Sequence, residues 1–105
     1  MEWLPDNYNP PLNYKPMNEY KTDDSFNEEE ALKELSEYIK STYSTHYAKG
    51  SIQSTEFIFD AGHGEGFCLG NIIKYAQRYG KKDGENVYDL LKMCHYAIML
   101  LGKKL

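Results

Sequence analysis

The sequence predicts an all-α protein, a compact array of four helices carrying an extended Pro- and Tyr-rich N-terminal arm. Three observations predict it. Apolar residues recur at spacings of three and four along separate stretches. Glycine-bearing breaks stand between those stretches, and nowhere do apolar and polar residues alternate as a half-buried strand requires. With 105 residues and no internal repeat, the chain has room for one small domain.

The arm comes first, over residues 1–24, with the helical domain over 25–105. All four prolines (Pro5, Pro10, Pro11, Pro16) fall in this arm among Asn, Asp and Tyr, so amide donors are missing where a helix or ladder needs them. Trp3, Leu4, Tyr8, Tyr14, Met17 and Tyr20 make it too apolar for an inert linker. It is expected to lie on its own domain or on a neighbouring subunit.

Ser25 followed by Glu28 reads as a capping box, and Glu29 and Glu30 suit the positive end of a helix dipole. A first helix of about 16 residues is expected from there to near Ser44, with Leu32, Leu35, Ile39 and Thr42 or Tyr43 as its apolar stripe. A non-helical junction holding His46 and Tyr47 should lead to a second helix from about Ser51 to Ala61, closed by Gly62. The third is expected from about Phe67 to Tyr79 after the loop Gly62 to Gly66. The fourth is expected from about Glu85 to Leu101, with Val87, Leu90, Leu91, Cys94, Ala97, Ile98 and Leu101 as its core stripe.

Composition excludes several function classes. No apolar run approaches the roughly 18 residues that cross a bilayer, and the N-terminus lacks the basic start and apolar stretch of a signal peptide, so no membrane partner and an intracellular location are expected. A net charge of −4 argues against a nucleic-acid partner. The charge is polarised. Residues 1–60 hold five Lys against twelve acids, and residues 61–105 hold seven basic residues against four acids, so an anionic ligand should meet the second half. Cys68 and Cys94 are too far apart for a CxxC pair and are expected to be buried, reduced thiols. His46, His63 and His95 have no zinc-site spacing.

On the third helix Leu69, Ile72, Ile73 and Ala76 share one face, expected to be core. Asn71, Lys74, Tyr75 and Arg78 repeat the spacing on the opposite face, followed at once by Lys81 and Lys82. An amide, an ammonium, a phenol and a guanidinium in one column are the donors that grip a phosphate while a base or ribose lies on the ring; the alternative is a solvated face. The last helix places Glu85, Asp89, Lys92 and Tyr96 opposite its apolar stripe. If the two polar columns face each other, Asp89 would orient Lys74 or Arg78 by an ion pair or hold Mg²⁺ on a nucleotide, the alternative being an intramolecular salt bridge with no ligand. The Gly-His-Gly-Glu-Gly loop reads either as a phosphate cradle or as simple turn glycines, and no P-loop or dinucleotide fingerprint is present. The acidic run Glu28, Glu29, Glu30, Glu34 and Glu37 only partly matches the magnesium motifs of all-α nucleotide pyrophosphohydrolases and reads as capping plus a solvated face.

These residues form a pattern: His46-Tyr47, Ile52 and Glu56, Gly70-Asn71, Lys74-Tyr75, Arg78, Lys81 or Lys82, then Asp89-Leu90, Lys92 and Tyr96. It resembles the SaV-like family of small bacteriophage proteins, whose signature reads HY, a helix, GNxxKYxxRxxxK and a closing DLxKxxxY. The resemblance covers about residues 45 to 101. It implies a protein of the host cytoplasm, and some members of the family are described as nucleotide kinases without a P-loop.

Carried over by position, the matching residues are His46, Tyr47, Asn71, Lys74, Tyr75, Arg78, Asp89 and Lys92; together with Lys81 and Lys82 they are the expected ligand contacts, with Asp89 as the expected catalytic and Mg²⁺-binding carboxylate. The expected function is binding of a nucleotide or nucleoside phosphate with kinase-like activity. A non-catalytic sponge for a nucleotide second messenger of host immunity and a structural helical protein are the alternatives. A homo-oligomer is expected in each case, because a chain this short buries limited surface alone.

Overall fold

The computed structural model describes residues 24–44 and 46–105, and of residues 46–48 only the backbone. The expected arm therefore lies outside the described residues except for Asp24. The described chain is all-α: α1 (Glu28–Ser41), α2 (His46–Asp60), α3 (Gly64–Arg78) and α4 (Val87–Lys104). Helices α3 and α4 form the principal pair, with α2 packed on α3 and α1 on α4.

The α3–α4 pair is antiparallel. Arg78 at the end of α3 meets Asp89 at the start of α4, while Lys104 at the end of α4 lies 3.6 Å from Glu65 at the start of α3. Between those ends, Phe67 and Tyr75 both pack against Tyr96. The inner seam of α3 runs through Gly64, Cys68, Asn71, Tyr75 and Arg78, a spacing of four and three that keeps one edge against a neighbouring helix.

Local chemistry explains the ends. Gly62, with φ 87°, closes α2: its N–H donates to the Phe59 carbonyl and that of His63 to the Ile58 carbonyl, a Schellman arrangement that only a residue at ease with positive φ completes cheaply. Asn86 caps α4, its side chain accepting from the Tyr88 N–H at 2.9 Å. Gly64 is buried because α3 starts directly under the Phe59 ring, where a Cβ would collide with it.

Several expectations are corrected. Ser25 is not the N-cap: that position in α1 is Asn27, in a left-handed conformation and without a side-chain cap, and the Asp24 carboxylate accepts from the Glu29 N–H. His46 and Tyr47 do not stand in a non-helical junction; they open α2, five residues earlier than expected. Gly64 to Gly66 belong to the first turn of α3 rather than to a loop. On α1, Leu32 is exposed and Tyr38 joins Leu35, Ile39 and Thr42 on the half-buried face.

The largest correction concerns the two faces of the hairpin. Of the apolar stripe expected as the α3 core, Leu69, Ile73 and Ala76 are exposed and only Ile72 is half-buried. On α4, Val87, Leu90, Cys94, Ala97, Ile98 and Leu101 are exposed and only Leu91 is half-buried. Cys68 is buried as expected, but Cys94 is exposed. The polar-tipped columns face inward, and the only fully buried side chains among the described residues are Cys68 and Asp89.

Candidate functional site

The inward turn of those columns builds the site. Tyr75 projects from the α3 seam and stacks on Tyr96 of α4, with ring planes 13° apart and centroids at 6.2 Å. Three cations surround the Tyr75 ring: Lys74 Nζ and Lys92 Nζ each lie 5.1 Å from its centroid, and the Arg78 guanidinium carbon lies 5.8 Å away. Such distances put each charge within reach of the ring's electron-rich face. Concentrating three like charges around one phenol is costly unless an anion balances them.

One anion is built in. Asp89 is completely buried, and its Oδ1 lies 3.3 Å from Arg78 Nε, making an ion pair without the geometry of a hydrogen bond. Arg78 also reaches the exposed Asp83 at 3.8 Å. The Asp89 carboxylate therefore holds the guanidinium in place beside Tyr75. Lys74 and Lys92 have no carboxylate partner within 4.0 Å among the described residues, and their charges stay available.

Beside this cluster opens a cavity of about 630 Å³, within the range of small-molecule sites. Its aromatic walls are Tyr38 of α1, Phe59 of α2, and Tyr96 and His95 of α4, and Tyr75 and Lys92 connect it to the cations. Ser41, Ser51 and Thr55 supply hydroxyls, Glu56 a carboxylate, and Lys103 a further ammonium, which lies 5.4 Å from the Phe59 ring. The hydroxyls of Ser41 and Thr55 already donate to helix carbonyls one turn back, so each offers a ligand its acceptor lone pairs.

The cavity wall tunes its own groups. Burial raises the pKa of Tyr38 and Tyr96, and the neighbouring phenol of Tyr75 adds to the rise in both, so these hydroxyls remain protonated donors at neutral pH. Burial lowers the pKa of His95, whose ring meets Tyr38 edge-on at 5.8 Å. A neutral imidazole is thereby favoured in the wall.

The structure thus brings together Lys74, Tyr75, Arg78, Asp89 and Lys92. Asn71 lies on the same seam, but its side-chain amide donates to the Phe67 carbonyl at 2.9 Å. Lys81 and Lys82 are exposed in the turn after α3 and do not line the cavity. The side chains of His46 and Tyr47 lie outside the described residues, while Ile52 and Glu56, further along α2, line the cavity. Of the two roles expected for Asp89, the geometry favours orienting Arg78; a magnesium ion at this carboxylate would have to displace the guanidinium.

Sequence reasoning did not reach Tyr38, Phe59, His95 or Lys103. Tyr38 was legible as the i+3 partner of Leu35. Phe59 and Lys103 come from helix ends and His95 from the middle of α4, and their convergence depends on how the helices pack.

Residues 41–98, more than half of the chain, match the model of a family described as a protein of unknown function, DUF3310. No curated protein and no solved structure matches.

Proposed function

The chain belongs to the DUF3310 family, and we propose that it binds a nucleotide or nucleoside phosphate in the cavity between α1, α2 and the α3–α4 hairpin. The observation that carries this reading is the cluster of cations at the edge of an aromatic cavity: Lys92 in its wall and Lys74 and Arg78 beside it surround Tyr75, Asp89 and Asp83 engage only Arg78, and neither lysine has a carboxylate within 4.0 Å among the described residues. Phosphate oxygens accept from Lys74 and Lys92 and from the guanidinium that Asp89 orients. A base lies against Tyr38, Phe59 or Tyr96, where stacking stabilises a planar ring. Glu56 accepts from an exocyclic amine or a sugar hydroxyl.

The SaV-like resemblance supports a phage origin, action in the host cytoplasm and kinase-like activity, and sequestration of a nucleotide second messenger is a second activity that would use the same grip. Phosphoryl transfer requires a donor and an acceptor in line, with their charge neutralised. Sequestration requires one ligand held intact. The engagement of Asp89 by Arg78 favours sequestration, because it takes the carboxylate nearest the cations out of reach of a metal ion or an acceptor hydroxyl.

Thermal-shift and calorimetric titration with nucleoside mono- and triphosphates and cyclic dinucleotides, with and without Mg²⁺, tests the reading. At least one compound is expected to stabilise the protein, and Lys74→Ala with Lys92→Ala is expected to weaken it by about tenfold or more at nearly unchanged stability. If no compound binds at millimolar concentration, the reading fails. Magnesium-dependent consumption of ATP would replace sequestration by kinase-like activity.

A further inference from the structure

We infer that the bare face of the α3–α4 hairpin is a self-association surface on which a second copy of the chain docks through the same face. This inference does not depend on what the cavity binds.

The face follows from helix geometry. At 3.6 residues per turn, Lys74 and Arg78 lie on one flank of the α3 seam and Leu69, Ile73 and Ala76 on the other. On α4, Lys92 and His95 lie on one flank of the Asp89–Tyr96 seam and Leu90, Cys94, Ala97 and Leu101 on the other. Because the helices are antiparallel, the two apolar flanks fall on the same side of the hairpin, opposite the side covered by α1 and α2. Lys74 and Lys92 are the only Lys, Arg, Asp or Glu between Glu65 and Arg78 and between Asp89 and Lys103, and both attend Tyr75 on the site side. The other side carries no charge over its central length.

Its size is that of an interface. Leu69, Ile73, Leu90, Ile98 and Leu101 are 40 to 67 % exposed. At about 180 Å² for a fully exposed Leu or Ile, these five present roughly 450 Å², midway in the range of the largest apolar patch on a monomer. Gly66, Gly70, Ala76, Cys94 and Ala97 are exposed between and beside them and extend the face toward the ~800 Å² that each partner gives to a stable dimer.

The spacing specifies a helical occupant. Leu69, Ile73 and Ala76, and Leu90, Cys94, Ala97 and Leu101, step by four and three, the rhythm of a seam that accepts knobs from another helix. Gly66 and Gly70 have open space where a Cβ would stand, leaving hollows beside the Leu69 and Ile73 knobs. Knobs and hollows on one surface make it complementary to itself under a two-fold axis, which pairs two hairpins into a four-helix bundle. Residues 1–24 carry four prolines and cannot supply such a helix.

Sedimentation equilibrium of the full chain over a micromolar concentration series is expected to give twice the chain mass. Ile73→Glu is expected to give a single chain mass, and Leu32→Glu, on an exposed apolar residue of α1, is expected to remain dimeric. Circular dichroism reports whether Ile73→Glu keeps its helices. If it unfolds, Cys94 in the unmodified protein decides: its alkylation should slow as protein concentration rises, and a concentration-independent rate overturns the proposal. A monomeric unmodified protein overturns it as well. So does a monomer in which Ile73→Glu shifts the emission of Trp3, the sole tryptophan, since the arm would then be the occupant. An assembly that Ile73→Glu leaves intact also overturns it.

Discussion

The two sides of the α3–α4 hairpin invert the usual distribution of chemistry. The side covered by α1 and α2 holds phenols, a guanidinium, two ammonium groups and a buried carboxylate. The side left open holds Leu, Ile, Ala, Cys and Gly. Apolar residues are ordinarily buried first because removing their surface from water is the main favourable contribution to folding. The hairpin encloses its polar column, where the proposed ligand site lies, and leaves its apolar stripe bare, where the proposed docking surface lies. Tyr reconciles the inner side with folding, since each ring buries apolar area while its hydroxyl keeps a polar function.

The sharpest way to break this contrast is to remove one half of the buried ion pair. Arg78→Ala leaves the Asp89 carboxylate buried and unpaired and is expected to cost about 3 to 5 kcal/mol, read as a large fall in the denaturant midpoint. Replacing both partners, Arg78→Met with Asp89→Leu, is expected to recover much of that stability while abolishing ligand binding. That outcome would separate what the pair does for the fold from what it does for the site.

A smaller loss tests how tightly α2 closes the inner side. Gly64→Ala forces a methyl group against the Phe59 ring and is expected to destabilise by about 1 to 3 kcal/mol. Gly66→Ala or Gly70→Ala meets no atom of the same chain and is expected to leave the isolated chain's stability unchanged or slightly raised, since both are helical. If all three substitutions behave alike, the close approach at Gly64 is not what distinguishes it.

The smallest effect is a pH dependence. Burial lowers the pKa of His95 below its ordinary 6.5, so the unfolded chain takes up the proton more readily than the folded one. The His95 contribution is therefore constant at higher pH and erodes as pH falls through about 6.5 toward the folded value. A melting series from pH 8 to 5 should show a steeper decline for the unmodified protein than for His95→Phe, which keeps a ring against Tyr38. Equal slopes would show that this imidazole is free to charge.

Much of the fold was legible. The four helices follow from apolar spacing and from Gly62 and Gly80, both at positive φ, which stop helices wherever they are packed. The candidate column was legible as well: Lys74, Tyr75, Arg78, Asp89 and Lys92 stood out as mixed polar types at helical spacing, and an Asp89 ion pair to Lys74 or Arg78 was expected from columns that face each other. The apolar stripes opposite them were misread as core. Periodicity reports that a helix has two faces but not which one meets a neighbour, and the usual rule that the apolar face is inside assumes that all its partners are in the same chain.

The sequence by itself therefore determined the four helices, the glycine stops after α2 and α3 and the residue types offered on each face, because those depend on backbone propensity and on neighbours a few positions away. Only the tertiary structure decided which face became interior, that Asp89 would be sealed against Arg78, and that Tyr38, Phe59 and His95 would converge from three helices on one cavity. Those outcomes depend on how whole helices cross, a balance of packing and desolvation summed over residues far apart in the chain, which no local pattern encodes.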